Sequence, residues 1–309
     1  MASTTQNESS TDIFKFAEKI EAVPKSISGL LASYSGIPKD TQLGHVVKIR
    51  DEAYACFPYP CVGSFRFLDF PLATHYAYEQ HVLSPLKRPS LDGVVEPLFL
   101  DLGTGFSQDV RKLIYDGMPA HRLWASDIEP KFIDFGFELF RDAEKLSRDR
   151  FLCPGDLFSN STEDKFNVLD NRVTILHLTA VFHLFSFDDQ KTVADRCLRL
   201  LRKDTGAPVL ILGAHVGNTS PGPFEKPQGS KEYRHKYDHD DRTWQELWQE
   251  VCGRDEWKDR IGNLDVKSRL LKQTQKKDVE SGEITTVYTE AEADTNPTWQ
   301  MFEVWVTFT

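Results

Sequence analysis

The chain has 309 residues, 40% hydrophobic and 12% aromatic, which suits one α/β domain with an accessory segment and excludes wholesale disorder. A formal charge of −10 argues against nucleic acid as a partner, since a nucleic-acid groove would show a basic face. No apolar run reaches the roughly 18 residues that span a bilayer, no signal-peptide core opens the chain and five scattered cysteines form no CxxC pair, so a reduced cytoplasmic protein without a membrane partner is expected.

The polar residues 1–12 read as a disordered tail. Apolar spacing predicts helices over 13–22 and 27–32, and a longer one opened by Asp40 as N-cap, with Leu43, Val46, Val47, Tyr54 and Phe57 on one side. Residues 57–67, FPYPCVGSFRF, are aromatic and punctuated by proline and glycine. Such a stretch either folds over a cofactor as a lid or packs on the domain surface. Arg66 among these aromatics needs an anionic partner or a route to solvent, and it stands with Tyr59 as a substrate-binding candidate. A helix over 75–83 and a link over 85–93 complete an N-terminal helical and aromatic lid segment, residues 13–95.

The stretch 97–109, PLFLDLGTGFSQD, organises the remainder, residues 96–309. A buried strand runs into a Gly-x-Gly turn, and a helix follows with Val110, Leu113 and Ile114 on one face. Dinucleotide sites want G-x-G-x-x-G/A, but Gln108 stands where the last small residue belongs. The acidic frame D-x-G-x-G-x-G fits better, with Asp101, Gly103, Gly105 and Ser107 in its positions. Bare backbone at the glycines lets a ligand lie against the turn. A second strand over 123–126 ends at Asp127 and Ile128, roughly 20 positions past the glycines, where an acid grips ribose hydroxyls. The helix over 131–141 carries Phe132, Ile133, Phe135, Phe137, Leu139 and Phe140, so it is either doubly buried or a homodimer face.

A third strand over 151–158 turns at Asp156 and Leu157, and 159–171 form a short helix with turns. A fourth strand over 173–178 ends near His177, with Phe182 and His183 just beyond. Ser186 and Asp189 open the next helix as a capping-box-like pair. The fifth strand covers 209–213, and 214–240 is too long for an ordinary connection, hence a functional cover or a disordered loop, with His215 at its start. Residues 235–241, HKYDHDD, have a metal-like composition but read as a solvated charged loop, so no metal is expected. A helix over 241–252, a strand over 264–271, a charged stretch over 272–297 in which Ser281-Gly282 could form a hairpin turn extending both strands, and an alternating strand over 301–308 end the chain. Two closing strands without a helix between them pair antiparallel.

The stretches YPCVGSFRFL (59–68), FLDLGTGFSQDVRKLIYDG (99–117) and SDIEPKFIDFGFELFRD (126–142) carry a resemblance to class I S-adenosylmethionine (SAM) methyltransferases. Within that class the chain is similar to small fungal enzymes that esterify carboxyl groups of meroterpenoid intermediates, as in the austinol, terretonin and andrastin routes. The resemblance implies an α/β, Rossmann-like seven-stranded sheet whose last strand is antiparallel, with helices on both faces. It also implies SAM as cofactor, S-adenosyl-L-homocysteine (SAH) as product, and a small secondary metabolite, meroterpenoid or polyketide, as partner. Asp101, Gly103, Gly105, Asp127 and Asp156 would be cofactor contacts, joined by Asp109, Ile128, Leu157 and His177 around the same strand tips. His177 stands where many relatives carry an acid, so the metal site of catechol-type members is not expected.

The sulfonium already activates the methyl group, which leaves the protein to align an acceptor oxygen and exclude water. A carboxylate is ionised near neutrality and needs no base, whereas a hydroxyl would want one, with His183 as the catalytic candidate and His215 the weaker. Arg66 could clamp a substrate carboxylate or the cofactor's own, and Phe106 and Phe182 could lie near the sulfonium or simply pack in the core. Two rival functions share this outline: a cyclase or isomerase built on the same fold, and an NAD(P) oxidoreductase, which Gln108 and the two-strand ending disfavour.

Overall fold

The computed structural model describes residues 16–89, 96–225, 235–277, 284–293 and 295–309. The tail, parts of the 85–93 link and of the 214–240 segment, and the Ser281-Gly282 turn lie outside them. No helix among the described residues is long and apolar enough to cross a membrane.

The N-terminal segment holds helices α1 (Lys25–Ser33), α2 (Lys39–Cys56) and α3 (Pro60–Gly63), a 3-10 turn at Arg66–Leu68, and a π-helix at Tyr78–Leu83 that continues into α4 (Ser84–Lys87). Residues 16–24 are not helical, contrary to expectation. Pro24 caps α1 instead, and Pro38 rather than Asp40 caps α2, because proline's fixed φ suits a helix start. Residues 75–77 are turns, and helical backbone begins only at Tyr78.

The remainder alternates β1 (Phe99–Leu102), α5 (Gln108–Tyr115), β2 (Leu123–Ser126), α6 (Pro130–Phe140), β3 (Phe151–Leu152), β4 (Ile175–Thr179), α7 (Phe187–Leu200) and β5 (Val209–Gly217). A small hairpin, β6 (Gly222–Glu225) and β7 (His235–Asp238), precedes α8 (Asp241–Cys252), and β8 (Ile261–Lys277), β9 (Ile284–Glu290) and β10 (Thr298–Phe308) follow. The main sheet has eight strands in the order β3-β2-β1-β4-β5-β10-β8-β9. The first five are parallel, and β10 inserts antiparallel between β5 and β8. The expected seven strands are present, and β9 adds an eighth at the edge.

The 214–240 segment is not one loop, since β5 runs on to Gly217 and β6 pairs with β7. β3 is shorter than expected, because Pro154 has no N–H to continue the ladder. α7 starts on Ser186, whose hydroxyl accepts the Asp189 N–H at 3.2 Å as the capping pattern predicts.

One face of the sheet packs α7 and α8 through Phe182, Trp244, Trp248 and Phe302. The other packs residues 72–86, α5 and α6 through Phe99, Leu113, Phe137 and Leu212. The aromatic surplus of α6 is absorbed inside the chain: Phe137 faces the sheet, while Leu139 and Phe140 pack against α1 and α2. Double burial, the first of the two expected alternatives, therefore accounts for the apolar surplus of that helix.

Candidate active site

The glycine turn lies at the carboxyl ends of the parallel strands, between β1 and α5. Gly103, Gly105 and Ser107 take φ of 67°, 55° and 58°, the left-handed region. The Thr104 N–H donates to the Ser126 carbonyl at 2.9 Å, which ties the turn to the tip of β2. Asp127 completes the joint: one carboxylate oxygen accepts the Gly105 N–H at 2.8 Å, the other the Glu129 N–H at 3.0 Å. Burial pushes its pKa up to about 6 while these two bonds oppose the rise. Each oxygen keeps a further lone pair for a ligand hydroxyl.

Three observations fit a bound nucleoside here. A Cβ built on Gly105 meets nothing within 4 Å, so the turn borders open space. Ser107 Oγ and Gln108 Oε1 are buried with no hydrogen-bond partner, a state that native proteins seldom leave unfilled. Ile128, beside Asp127, is 61% exposed, an apolar side chain held out at a strand tip where a base could stack. Asp156 is exposed too, although its Oδ1 already accepts the Phe158 N–H at 2.9 Å. Leu157 is half-buried, and Phe158, which the sequence reading passed over, is exposed beside it and meets Phe185 edge-on at 5.1 Å.

The other candidates stand elsewhere. Asp101 and His177 are register partners on β1 and β4, so their side chains meet on one face. His177 Nδ1 is 2.7 Å from Asp101 Oδ1 and its Nε2 is 2.8 Å from Thr179 Oγ1, while the Thr104 hydroxyl donates to Asp101 Oδ2 at 2.5 Å. Burial alone would lower the His177 pKa, but the Asp101 charge and bond outweigh it and the net shift is upward. With both ring nitrogens engaged, His177 does not present itself to a cofactor. Asp109 is also buried on this side, where its Oδ1 accepts the Leu72 N–H at 3.2 Å. This cluster supports the glycine turn from beneath.

Phe182 belongs to the core, edge-on to Trp244 at 4.9 Å and to Phe302 at 6.2 Å, and so does not face a sulfonium. His215 points to the same face of the sheet, is 1% exposed and bonds Gln300 Oε1 through Nε2 at 2.9 Å. Burial drops its pKa to about 4, which makes it a neutral core histidine rather than a substrate contact. Tyr59 is exposed and packs with Phe57 and Phe132. Phe106 packs with Phe67, Phe132 and Phe135.

Arg66 has found an anionic partner within the chain. Its Nε is 3.0 Å from Asp69 Oδ2, and with the Gln273 amide oxygen turned toward it both terminal nitrogens donate to that oxygen at 2.8 Å. The arginine thereby joins the N-terminal segment to β8. Beside this junction lies a small apolar cluster of Ala214, Leu271, Trp299 and Met301, flanked by Ala180, Val216 and Tyr288. His183 borders it, and its Nδ1 accepts the Val216 N–H at 3.4 Å. The 460 Å³ cleft lined by His45, Lys48 and Arg141 lies between α2 and α6, away from these strand tips.

Residues 15–68 match the family model of a meroterpenoid methyltransferase N-terminal domain. The O-methyltransferase phiE of Fungal sp. (strain ATCC 74256) is 31% identical, over 79% of this chain and 77% of that one. The asnovolin E/chermesin D methyltransferase nvfJ of Aspergillus novofumigatus is 36% identical, over 75% and 78%. The chain belongs to this methyltransferase family. Among solved structures, the Burkholderia thailandensis 1,6-didemethyltoxoflavin-N1-methyltransferase aligns with a TM-score of 0.46 at 12% identity, covering 88% of this chain and 92% of that one. The open glycine turn, the Asp127 carboxylate and the two unpartnered polar atoms of the present chain suit the SAM that its sequence resemblance implies.

Proposed function

We propose that this methyltransferase esterifies a carboxylate on an apolar small molecule of secondary metabolism, meroterpenoid or polyketide in kind. The names of its relatives support the substrate class, and the apolar cluster on β5, β8 and β10 supports an acceptor with a large hydrocarbon body. The observation that carries the reading is the joint between Gly105 and Asp127, which ties a carboxylate to a turn with open space beside it.

Bound SAM supplies an electrophilic methyl group. Gly103 and Gly105 would give its amino-acid portion close approach to backbone, Asp127 would accept from the ribose hydroxyls, and Ile128, Asp156 and Leu157 would hold the base. Asp101, His177 and Asp109 hold the turn in shape from below. Residues 59–76 act as the lid: Arg66 fixes it to β8, and Leu72 fixes it to α5 through Asp109. Alignment of the acceptor and exclusion of water are then the main contributions the chain makes to rate.

Incubation with methyl-labelled SAM and a panel of lipophilic acids tests this, paired with the matching alcohols. Label should pass to acids as esters. Asp127→Ala should weaken SAH binding by at least tenfold in calorimetry, since a charged hydrogen bond to two hydroxyls is worth about 1.5–3 kcal/mol. Unchanged SAH affinity in that variant would overturn the cofactor placement.

A further inference from the structure

β1 ends at Leu102, paired with Leu178, and the chain there enters the glycine turn. β4 runs one residue further, to Thr179, which pairs on its other side with Ala214 of β5. Ala214 in turn pairs with Met301 of β10. Thr179 lies two residues on from His177 and so shares its side of the sheet. This half-buried threonine therefore has the start of the glycine turn on one flank and Ala214, a member of the apolar cluster, on the other.

Its hydroxyl is the last member of a hydrogen-bonded chain. Asp101 accepts from the Thr104 hydroxyl at 2.5 Å and from His177 Nδ1 at 2.7 Å, because a carboxylate offers only acceptors. With Nδ1 donating, His177 Nε2 meets Thr179 Oγ1 at 2.8 Å in one of two ways. A neutral ring accepts the threonine proton. An imidazolium donates to the threonine oxygen and leaves that proton to point elsewhere. Burial opposes a charge on the ring, but Asp101 of β1 and Asp109 of α5 outweigh it and raise the His177 pKa. His75 of the N-terminal segment also faces this ring and stays neutral, its own pKa dropped by burial to about 4.

We propose that the Asp101–His177–Thr179 chain holds the Thr179 hydroxyl as a hydrogen-bond donor to the carboxylate of the methyl acceptor. The inference rests on the carboxylate reading given above. One acceptor oxygen takes the Thr179 O–H, and the other forms the O–CH₃ bond as the S–CH₃ bond breaks. The bonding pair goes to sulfur, the carboxylate and sulfonium charges cancel, and Thr179 keeps its proton. The hydroxyl thus binds a charge that the reaction removes. Its contribution is larger before transfer than during it and falls on KM rather than on kcat. Asp101 and His177 act only through Thr179, as positioning residues.

The ¹⁵N spectrum of the histidine-labelled protein with SAH tests the chain without turnover. At about pH 6 both ring nitrogens of His177 should be protonated, its Nε2 signal being the one that moves in Thr179→Val. An unprotonated Nε2 under those conditions overturns the proposal. Kinetics with a lipophilic acid that the parent methylates tests the contact. Thr179→Val should raise KM by roughly tenfold or more while kcat stays within about threefold, and Thr179→Ser, which keeps the hydroxyl, should stay within about threefold of the parent in both. In the parent and in Thr179→Ser, KM should rise as pH climbs through the His177 pKa, above 6.5, since a neutral ring draws the threonine proton to itself. Thr179→Val should lack that rise. SAH affinity in calorimetry should stay within about twofold in all three proteins. Weaker SAH binding with KM unchanged would put the hydroxyl on the cofactor's carboxylate, and a joint fall of kcat and SAH affinity would mark a structural role; either overturns the assignment. Equal KM in the parent and Thr179→Val overturns this inference alone. Methylation of alcohols with no acid accepted overturns the carboxylate reading and this inference with it.

Discussion

At the residue scale, Asp109 shows what supporting the glycine turn costs. Burial chiefly pushes its carboxyl up to about 7 from 3.8, with His177 opposing the rise and Asp101 adding to it. The folded chain therefore holds this proton more tightly than the unfolded one. The contribution is most favourable below pH 4 and turns into a penalty as pH rises toward and through 7. Asp109→Asn keeps an oxygen for the Leu72 N–H and removes the charge. Its stability advantage over the parent should grow by about 3 kcal/mol between pH 5 and pH 8, since the penalty accrues at 1.36 kcal/mol per unit up to about pH 7. Urea unfolding at the two pH values measures this, and parallel behaviour of the two proteins would show that the carboxylate is not penalised.

At the scale of the element, the two glycines of the turn should separate stability from binding. A Cβ on Gly103 would stand 2.5 Å from Val181 Cγ2 at a φ of 67°, so Gly103→Ala meets both strain and a clash. A loss of about 2–3 kcal/mol in unfolding free energy is expected. Gly105 has a similar φ but open space around it, so Gly105→Ala should cost about 1 kcal/mol. Its methyl group would project into the cradle and weaken SAH binding more than tenfold. Chemical unfolding and calorimetry on both variants should therefore rank them in opposite orders. This turn was legible in the sequence because glycine spacing and a following acid are local signals. The fates of Asp101 and His177 were not: whether two residues on neighbouring strands meet depends on register, which no single strand reveals. Phe182 and His215 misled for the same reason, since closeness to a strand tip does not say which face a side chain takes. β9 was legible only as the arm that a Ser281-Gly282 hairpin would need, and not as a strand of its own, because its run of threonines, valine and tyrosine lies in a stretch dominated by charge.

Across the whole molecule, residues 66–76 cross one face of the sheet and link parts of the chain far apart in sequence. Leu72 bonds α5 through Asp109, His75 Nε2–H donates to the Phe302 carbonyl of β10 at 3.2 Å, and Arg66 grips Gln273 of β8. Burial drops the His75 pKa to about 4, so the ring stays neutral and its second nitrogen accepts the Ala77 N–H at 3.1 Å. The middle of the strap is thus held by neutral bonds, and its end by a charge. That end lies beside the apolar cluster, while the cofactor cradle lies at β1 and β2. Arg66→Lys keeps a cation for Asp69 but loses the fork that takes both bonds to Gln273. Acceptor KM should rise by roughly tenfold, the equivalent of one charged hydrogen bond, while SAH affinity stays within twofold. Steady-state kinetics at saturating SAM and calorimetry with SAH separate the two quantities. If both fell together, Arg66 would be holding the cofactor side of the molecule, and the strap would not divide acceptor from cofactor.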